Sequence, residues 1–133
     1  MSGPELVRPA SLDPSVPYAY AAVVAPGSLV FTAGACPLDE AGEVVHPGDV
    51  AAQAERVMAN LVIALTATGC GLADVAKSTV YVASHRRDDL VAAWQVVRAA
   101  FGDHDAPSTL LGVAALGFPD QLVEVEAVAV ASR

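Results

Sequence analysis

Apolar side chains recur between residue 50 and about residue 68 at the spacing of one helical face. Positions i, i+3, i+4 and i+7 of this stretch are apolar, which predicts an amphipathic helix. Asp49 stands where the helix needs a cap, because its carboxylate can accept a hydrogen bond from the first turn. Gly69 or Gly71 can end the helix, since glycine readily adopts the left-handed conformation that follows many helices.

A second helix is predicted from the acidic pair Asp88 and Asp89 to Gly102. Carboxylates in a first turn complement the helix dipole, and a glycine just past the last turn ends a helix. The apolar stripe of this helix consists of Leu90, Trp94, Val97 and Phe101. We interpret Trp94 as a core or interface side chain, with stacking on a ligand as the alternative.

Strands are predicted at residues 18–24, 29–34, 75–83, 109–115 and 121–131, where β-branched and aromatic residues concentrate. The four residues 25–28 separate the first two strands, which are therefore expected to form an opening hairpin. The order β-β-α-β-α-β-β, with room for a short strand near Val44, predicts an α+β domain whose sheet carries two helices on one face. Residues 1–17 contain four prolines and are expected to form an extended arm without regular ladder bonding, before one domain at residues 18–133.

Composition narrows the possible functions. A chain of 133 residues suits a single domain, and 54% apolar against 17% charged residues predict a compact core and a surface partly covered in an oligomer. Fifteen acidic and seven basic residues give a net charge of −8, which disfavours nucleic acids and anionic membranes as partners. No signal peptide or membrane span is recognisable, so we expect a cytoplasmic protein in which Cys36 and Cys70 are free thiols.

Two glutamates interrupt an apolar strand face near the end of the chain. The period of two places Glu124 and Glu126 on the same side of the strand as Leu122, Val128 and Val130. A buried glutamate is rare unless it is paired or functional. Either both carboxylates lie near a rim and pair with Arg or Lys, or one of them transfers protons in a reaction.

Other candidate chemistry is sparse. His46, His85 and His104 fall in predicted loops, and their spacing does not match that of metal ligands. The sequence has no phosphate-binding loop, no dinucleotide fingerprint and no serine nucleophile motif. We therefore expect neither a metal nor a cofactor.

Four segments carry a resemblance to a known family. Residues 31–34 read FTAG, residues 71–82 read GLADVAKSTVYV, residues 112–116 read GVAAL and residues 122–129 read LVEVEAVA. Across residues 17–131 the chain resembles the Rid (YjgF, enamine/imine deaminase) family. The resemblance implies a chorismate-mutase-like fold with a mixed sheet, assembled as a homotrimer with a central barrel and three clefts between subunits. It also implies cofactor-independent hydrolysis of enamines and imines to 2-keto acids and ammonia.

The resemblance also assigns candidate site residues. Tyr18 matches the cleft tyrosine of the family, Gly34 matches the backbone that faces the ligand, and Glu124 matches the glutamate proposed to position the attacking water. Ala33 and Trp94 stand where the family usually has Ser and Asn. The resemblance therefore implies a small-molecule pocket more apolar than that of a deaminase.

One family feature is missing from this sequence. Deaminases of the family grip the substrate carboxylate with the Arg of a Pro-Ala-Arg-(Ser/Thr) motif, whereas residues 106–109 read APST here. Ser108 takes the Arg position, or Thr109 takes it after a one-residue slip, and neither supplies a cation. Leu110 replaces the cysteine that some members carry after this motif, so a different ligand is implied.

Two functions are compatible with these residues. In the first, the protein is a trimeric hydrolase of a reactive imine or enamine, with Glu124 activating water and Tyr18 and Ser108 or Thr109 donating hydrogen bonds. In the second, the same cleft binds a small, largely apolar metabolite without turning it over. The ribonuclease activity ascribed to some relatives is disfavoured by the charge of −8.

Overall fold

The computed structural model describes residues 3–131 and contains a four-stranded sheet, a two-stranded sheet and two long helices. Strands β3, β6, β4 and β5 are neighbours in that order in the larger sheet; β4 and β5 run parallel, and the other pairs run antiparallel. The elements are β1 (Glu5–Val7), β2 (Ala21–Val23), β3 (Ser28–Phe31), α1 (Val50–Thr66), a 3-10 turn (Leu72–Asp74), β4 (Val75–Val82), α2 (Arg87–Phe101), β5 (Ser108–Gly112) and β6 (Val123–Ala131).

Both predicted helices are present, and their ends follow the predicted signals. The Asp49 carboxylate accepts a hydrogen bond from Ala52 N at 3.0 Å and caps α1. Gly69, three residues past the end of α1, and Gly102, directly after α2, have positive φ angles of 81° and 66°. A left-handed glycine frees the chain to leave a helix, and these two positions use that freedom.

The core lies between the helices and one face of the larger sheet. Helix α1 packs on β6, and α2 packs on β4 and β5. Val80 and Val82 of β4 and Val123 and Val125 of β6 are fully buried against the helices. The predicted α+β domain, with two helices on one face of a mixed sheet, is therefore confirmed. No helix within residues 3–131 is long and apolar enough to cross a membrane.

The predicted opening hairpin is wrong. Strand β2 pairs with β1, through register pairs such as Leu6 with Ala22, whereas β3 pairs with β6. The connection includes Pro26, which has no N–H to donate to a hairpin ladder. The free edge of β6 offers β3 a longer ladder and packs Val30 against the core, so burial decides the pairing.

The first seventeen residues are also more regular than predicted. Residues 5–7 form a ladder with β2 because the prolines at positions 4 and 9 lie on either side of this short strand. Arg8 anchors the following segment by donating to Val16 O at 3.0 Å and to the Asp105 carboxylate at 2.9 Å. The division into an arm at 1–17 and a domain at 18–133 stays a prediction.

The side of the larger sheet that faces away from the helices is called the open face below. It mixes apolar and polar side chains, and Phe31 at its edge is 71% exposed. By strand register its residues are Leu29 and Phe31 of β3, Lys77, Thr79 and Tyr81 of β4, Thr109 and Leu111 of β5, and Glu124, Glu126, Val128 and Val130 of β6.

Candidate active site

Strand β6 sorts its side chains onto two faces, and its two glutamates share the open face. Val123 and Val125 are buried in the core, whereas Glu124 and Glu126 are half-buried on the other side. The predicted alternation is therefore confirmed. In the described part of the chain neither carboxylate forms an ion pair, so the rim interpretation, in which both pair with Arg or Lys, has no support within one chain.

Glu124 is held through one of its two carboxylate oxygens. Its Oε1 accepts a hydrogen bond from Gln121 Nε2 at 3.0 Å and one from the Cys36 thiol, with Sγ at 3.4 Å. Among residues 3–131 no hydrogen-bond donor reaches Oε2. Hydrogen bonds within residues 3–131 thus fix only one of the two carboxylate oxygens.

The other oxygen, Oε2, packs directly on Gly34. An isolated bridge aligns the chain here, with Ala35 N donating to Val125 O at 2.7 Å and Val125 N donating to Ala35 O at 3.2 Å. A Cβ atom at position 34 would collide with Oε2 and Cδ of Glu124. Only glycine therefore leaves room for the carboxylate in this position.

The Cys36 thiol is neutral at physiological pH. Burial, followed by the negative charge and the hydrogen bond of Glu124, raises the pKa of Cys36 from 9.0 to about 11. A neutral thiol is a poor nucleophile but can donate a hydrogen bond. Cys36 Sγ lies 3.5 Å from Gly34 O and 3.4 Å from Glu124 Oε1, and the charged carboxylate is the stronger acceptor for its single proton. Both Cys36 and Cys70 are free, as predicted.

Glu126 has a different partner on the same face. Its Oε2 accepts a hydrogen bond from the Tyr81 hydroxyl at 2.7 Å, and this bond raises the pKa of Tyr81 above its ordinary value. Also on the open face, Lys77 Nζ of β4 donates to the Thr109 hydroxyl of β5 at 2.6 Å. The open face thus carries one carboxylate bound to a phenol, and an ammonium group bound to a hydroxyl.

A cleft of ≈ 500 Å³ lies beside the edge strand β5. Ala19 N donates to Asp105 O at 2.9 Å, which holds the segment with Tyr18 next to this strand. The half-buried ring of Trp94 approaches from α2. The lining residues are Pro17, Tyr18, Trp94, Ser108, Thr109 and Leu110.

The two hydroxyl residues of β5 point to opposite sides of the sheet. Ser108 pairs with the buried Ser78, whose hydroxyl donates to Ser108 Oγ at 2.8 Å on the helix side. Thr109 pairs with Thr79 and lies on the open face, the face that carries Glu124. A side chain at position 109 therefore shares its face with the carboxylate, whereas one at position 108 does not.

With this geometry established, the chain can be compared with known proteins. The profile of the family described as Endoribonuclease L-PSP matches residues 9–131. A structure of YyfB from Yersinia pestis, a protein of the conserved Rid family, superposes with a TM-score of 0.90 at 32% identity and covers 97% of this chain and 99% of its own. The chain belongs to the Rid (YjgF) family.

Several relatives carry functional names. The RutC family protein PYRAB12510 of Pyrococcus abyssi is 36% identical over 87% of both chains. The 3-aminoacrylate deaminase RutC of Acinetobacter baylyi is 32% identical and covers 94% of this chain and 96% of its own. The 2-iminobutanoate/2-iminopropanoate deaminase of Escherichia coli is 33% identical over 78% of this chain and 80% of its own. Deaminases are therefore among the relatives of this Rid protein.

The predicted site residues of this Rid protein fall into two groups within one chain. Tyr18, Trp94, Ser108 and Thr109 meet in the cleft beside β5. Glu124 and Gly34 form the second group, and neither lines that cleft; Ala33 is exposed next to Gly34. The roles assigned to these residues stay predictions.

Sequence reasoning missed Gln121 and treated Cys36 only as a thiol. Gln121 is three residues before Glu124, a spacing that puts side chains on opposite faces of a regular strand. Cys36 is distant in sequence and has no pattern that points to Glu124. Tyr81 could have been found, because the period of two in the strand predicted at residues 75–83 places it on one face with Lys77 and Thr79.

The histidines lie apart from these groups. His46 and His85 are exposed, and one ring nitrogen of His104 is 2.7 Å from Val75 O. Residues 3–131 contain no group of three or more side chains arranged to hold a metal ion.

Proposed function

We propose that this Rid protein is a cofactor-independent cytoplasmic hydrolase of a small, reactive imine or enamine. The observation that carries the proposal is the Glu124 carboxylate, which has one oxygen fixed by neutral donors, one oxygen without a hydrogen-bond donor, and no ion pair within residues 3–131. A carboxylate in this state can accept a proton from water. The names of the deaminase relatives support the choice of substrate class.

The chemistry requires one base and a few donors. Glu124 Oε2 takes a proton from water while the water oxygen attacks the carbon of the C=N bond, and Glu124 then gives this proton to the nitrogen, which forms a carbinolamine. Glu124 next takes the proton of the new hydroxyl and gives it to the nitrogen as the C–N bond breaks, which releases ammonia, leaves a carbonyl product and restores the carboxylate. Tyr18 and Ser108 or Thr109 donate hydrogen bonds to the substrate. Atoms and charge balance without a metal or a cofactor.

The proposal includes a homotrimer whose active sites lie between subunits. Within one chain the cleft beside β5 and the Glu124 group are separate, so a complete site needs residues of two copies. Exposed apolar side chains on the open face support such an assembly, because large apolar patches rarely stay in water. These side chains are Leu29 at 49%, Phe31 at 71% and Leu111 at 42% exposure.

The absence of an arginine at positions 108 and 109 affects which substrates the protein is expected to turn over. Loss of a charge-assisted pair with a substrate carboxylate costs roughly 2–5 kcal/mol, so turnover of 2-imino acids should be weak. Thr109 shares the open face with Glu124, and Lys77 already places an ammonium beside it. Thr109→Arg should therefore raise kcat/KM for 2-iminobutanoate by about tenfold, because guanidinium can bind a carboxylate through two hydrogen bonds. Ser108→Arg tests the other alignment: if position 108 meets the substrate carboxylate, this variant and not Thr109→Arg should raise kcat/KM.

Ammonia release tests the proposal. The wild-type protein is mixed with freshly generated 2-iminobutanoate and, separately, with a small imine that has no carboxylate. We expect release above the spontaneous rate for both, and a higher kcat/KM for the imine without a carboxylate. No acceleration with either substrate would contradict the hydrolase function.

A binding module is the second candidate, and the composition of the cleft favours it. Pro17, Trp94 and Leu110 give the cleft apolar walls, and its polar groups are hydroxyls. Such a site suits a small, largely apolar metabolite. Saturable binding of that kind of molecule without product formation, together with no ammonia release, would select the binding module.

A further inference from the structure

Gln121 is a buried polar side chain whose hydrogen bonds link the segment at Phe118 to the start of β6. It is 3% exposed. Its Oε1 accepts from Phe118 N at 3.1 Å, and its Nε2 donates to Val123 O at 3.2 Å and to Glu124 Oε1 at 3.0 Å. A buried amide with every group satisfied has one orientation, because any rotation leaves a donor or an acceptor unpaired.

The backbone before β6 is shaped so that this contact can form. Asp120 has a positive φ of 68°, and the chain becomes regularly extended only at Val123. Gln53, fully buried on α1, clamps this bend: its Nε2 donates to Asp120 O at 2.9 Å and its Oε1 accepts from Leu122 N at 2.8 Å. The bend overrides the strand period and lets residue 121 reach the side chain of residue 124.

Cys36 supplies the second neutral donor to the same oxygen. Its Sγ lies 3.4 Å from Glu124 Oε1, and its carbonyl accepts from Asn60 Nδ2 at 2.8 Å, which fixes the Cys36 backbone to α1. Two donors from different parts of the chain thus converge on Oε1. Oε2, packed on Gly34, accepts no hydrogen bond from a residue among 3–131.

We propose that Gln121 and Cys36 are positioning residues that hold Oε1 of Glu124 and thereby select Oε2 as the oxygen that handles the proton. The proposal rests on the proposed function, since it names the atom that acts in that site. Neither residue contacts the substrate in this account. They restrict the carboxylate to one rotamer. Because both partners are neutral, no ion pair neutralises its charge.

Steady-state kinetics provide the first test. Gln121→Met keeps the length of the side chain but removes the amide, and Cys36→Ala removes the thiol donor. We expect kcat to fall about 10- to 100-fold for Gln121→Met with KM changed by less than about twofold, because a carboxylate out of place weakens the reaction step and not substrate binding. Cys36→Ser keeps a donor and should recover most of the activity lost in Cys36→Ala. Exposed Gln95 provides the control variant Gln95→Met, which should match the wild type.

A second test does not depend on turnover. Thiolate absorbance in the ultraviolet reports the ionisation of Cys36 when the Cys36→Ser spectrum is subtracted at each pH. The charge of Glu124 contributes to the raised pKa of Cys36, so Glu124→Gln should increase the thiolate fraction at pH 10 several-fold. A hydrogen bond from Gln121 lowers the pKa of Cys36, so the effect of the carboxylate is measured within one background: if Gln121 holds the carboxylate beside the thiol, Glu124→Gln should increase the thiolate fraction less in Gln121→Met than in the wild type or in Gln95→Met.

The two tests separate the positioning proposal from the proposed function. An increase on Glu124→Gln that is as large in Gln121→Met as in the wild type would overturn the positioning proposal even in a protein without hydrolase activity. Unchanged kcat in Gln121→Met, in a protein that Glu124→Gln inactivates, would overturn it too. A protein that shows the predicted thiolate changes but no turnover would retain the geometry and lose the hydrolase function.

Discussion

The two faces of β6 differ in polarity and burial. On the helix side, Val123 and Val125 are fully buried among apolar neighbours. On the open face, Glu124 and Glu126 are half-buried and each has a neutral hydrogen-bond donor. One strand therefore builds the core with one half of its residues and presents carboxylates with the other half. Because side chains alternate between the two faces, residues on the open face can be replaced without replacing those that build the core.

The two glutamates of the open face differ in turn. Glu126 bonds to the hydroxyl of Tyr81 within the sheet, so its contact is part of ordinary cross-strand pairing. Glu124 instead contacts Gly34, Cys36 and Gln121, which all lie outside the strands of the sheet. The convergence of residues from irregular segments on Glu124 distinguishes this carboxylate from that of Glu126, which has a cross-strand partner.

A large loss of activity is expected from a substitution at Gly34. In Gly34→Ala the new methyl group collides with Oε2 and Cδ of Glu124, so the carboxylate has to move. A displacement of about 1 Å in a catalytic group costs on the order of 100-fold in rate, and we expect that loss in kcat for the imine substrate. Gly117→Ala is the control, because a Cβ there meets no atom within 4 Å. Equal activity of both variants would remove Gly34 from the account.

The polarity of the two faces can be compared with matched threonines. Val125→Thr buries a hydroxyl in the core, where an unpaired polar group costs about 1–3 kcal/mol of the free energy of unfolding. Val128→Thr places the same hydroxyl on the open face beside Lys77, its register partner, where polar side chains can pair with it even in the proposed trimer, and should cost less than Val125→Thr. Denaturant unfolding measures both. Similar losses for the two variants would show that the faces do not differ in this way.

The proposed assembly should depend on the open face. Light scattering should give about three times 13.5 kDa for the wild type. Phe31→Asp introduces a charge at a site proposed to be covered and should shift the mass towards one chain. Ile63→Asp, 67% exposed on α1, is the control and should leave the mass unchanged. A wild-type monomer at micromolar concentration would contradict both the trimer and the shared site.

The smallest expected effect is a pH dependence of stability. The pKa of Cys36 is raised from 9.0 in an ordinary thiol to about 11 in the fold, so the unfolded chain loses its proton first as the pH rises. The contribution of this thiol is fully present below pH 9 and declines between pH 9 and pH 11. Unfolding at several pH values should therefore show a steeper decline for the wild type than for Cys36→Ser. Parallel curves would mean that the thiol is not held in its neutral form.

Much of the fold could be predicted from local patterns. The cap at Asp49, the glycine at position 102 and the alternation of β6 are local signals, and the structure contains all three elements they predict. The pairing of β3 was not predictable in this way, because it depends on which strand edge is free in the folded sheet. Long-range burial, and not the sequence between β2 and β3, determines that pairing.

The site was predictable only in part. Parity placed Glu124 and Glu126 on one face, but it treated them alike. What separates them is the bend at Asp120, which brings Gln121 to Glu124, and the bridge at Ala35, which brings Gly34 beneath the carboxylate. The bend depends on a left-handed backbone angle at Asp120. The bridge depends on a contact between segments about ninety residues apart in the chain.

The central claim is that Glu124, and not its neighbour on the same face, is the base of an imine hydrolase. The most direct test compares kcat/KM for ammonia release in Glu124→Gln and Glu126→Gln, two variants with the same chemical change two residues apart on one strand. We expect a loss of about 10²–10⁴-fold for Glu124→Gln, since the amide keeps the shape but cannot take the proton, and a change within about threefold for Glu126→Gln. Equal losses in the two variants, or full activity in Glu124→Gln, would contradict the account.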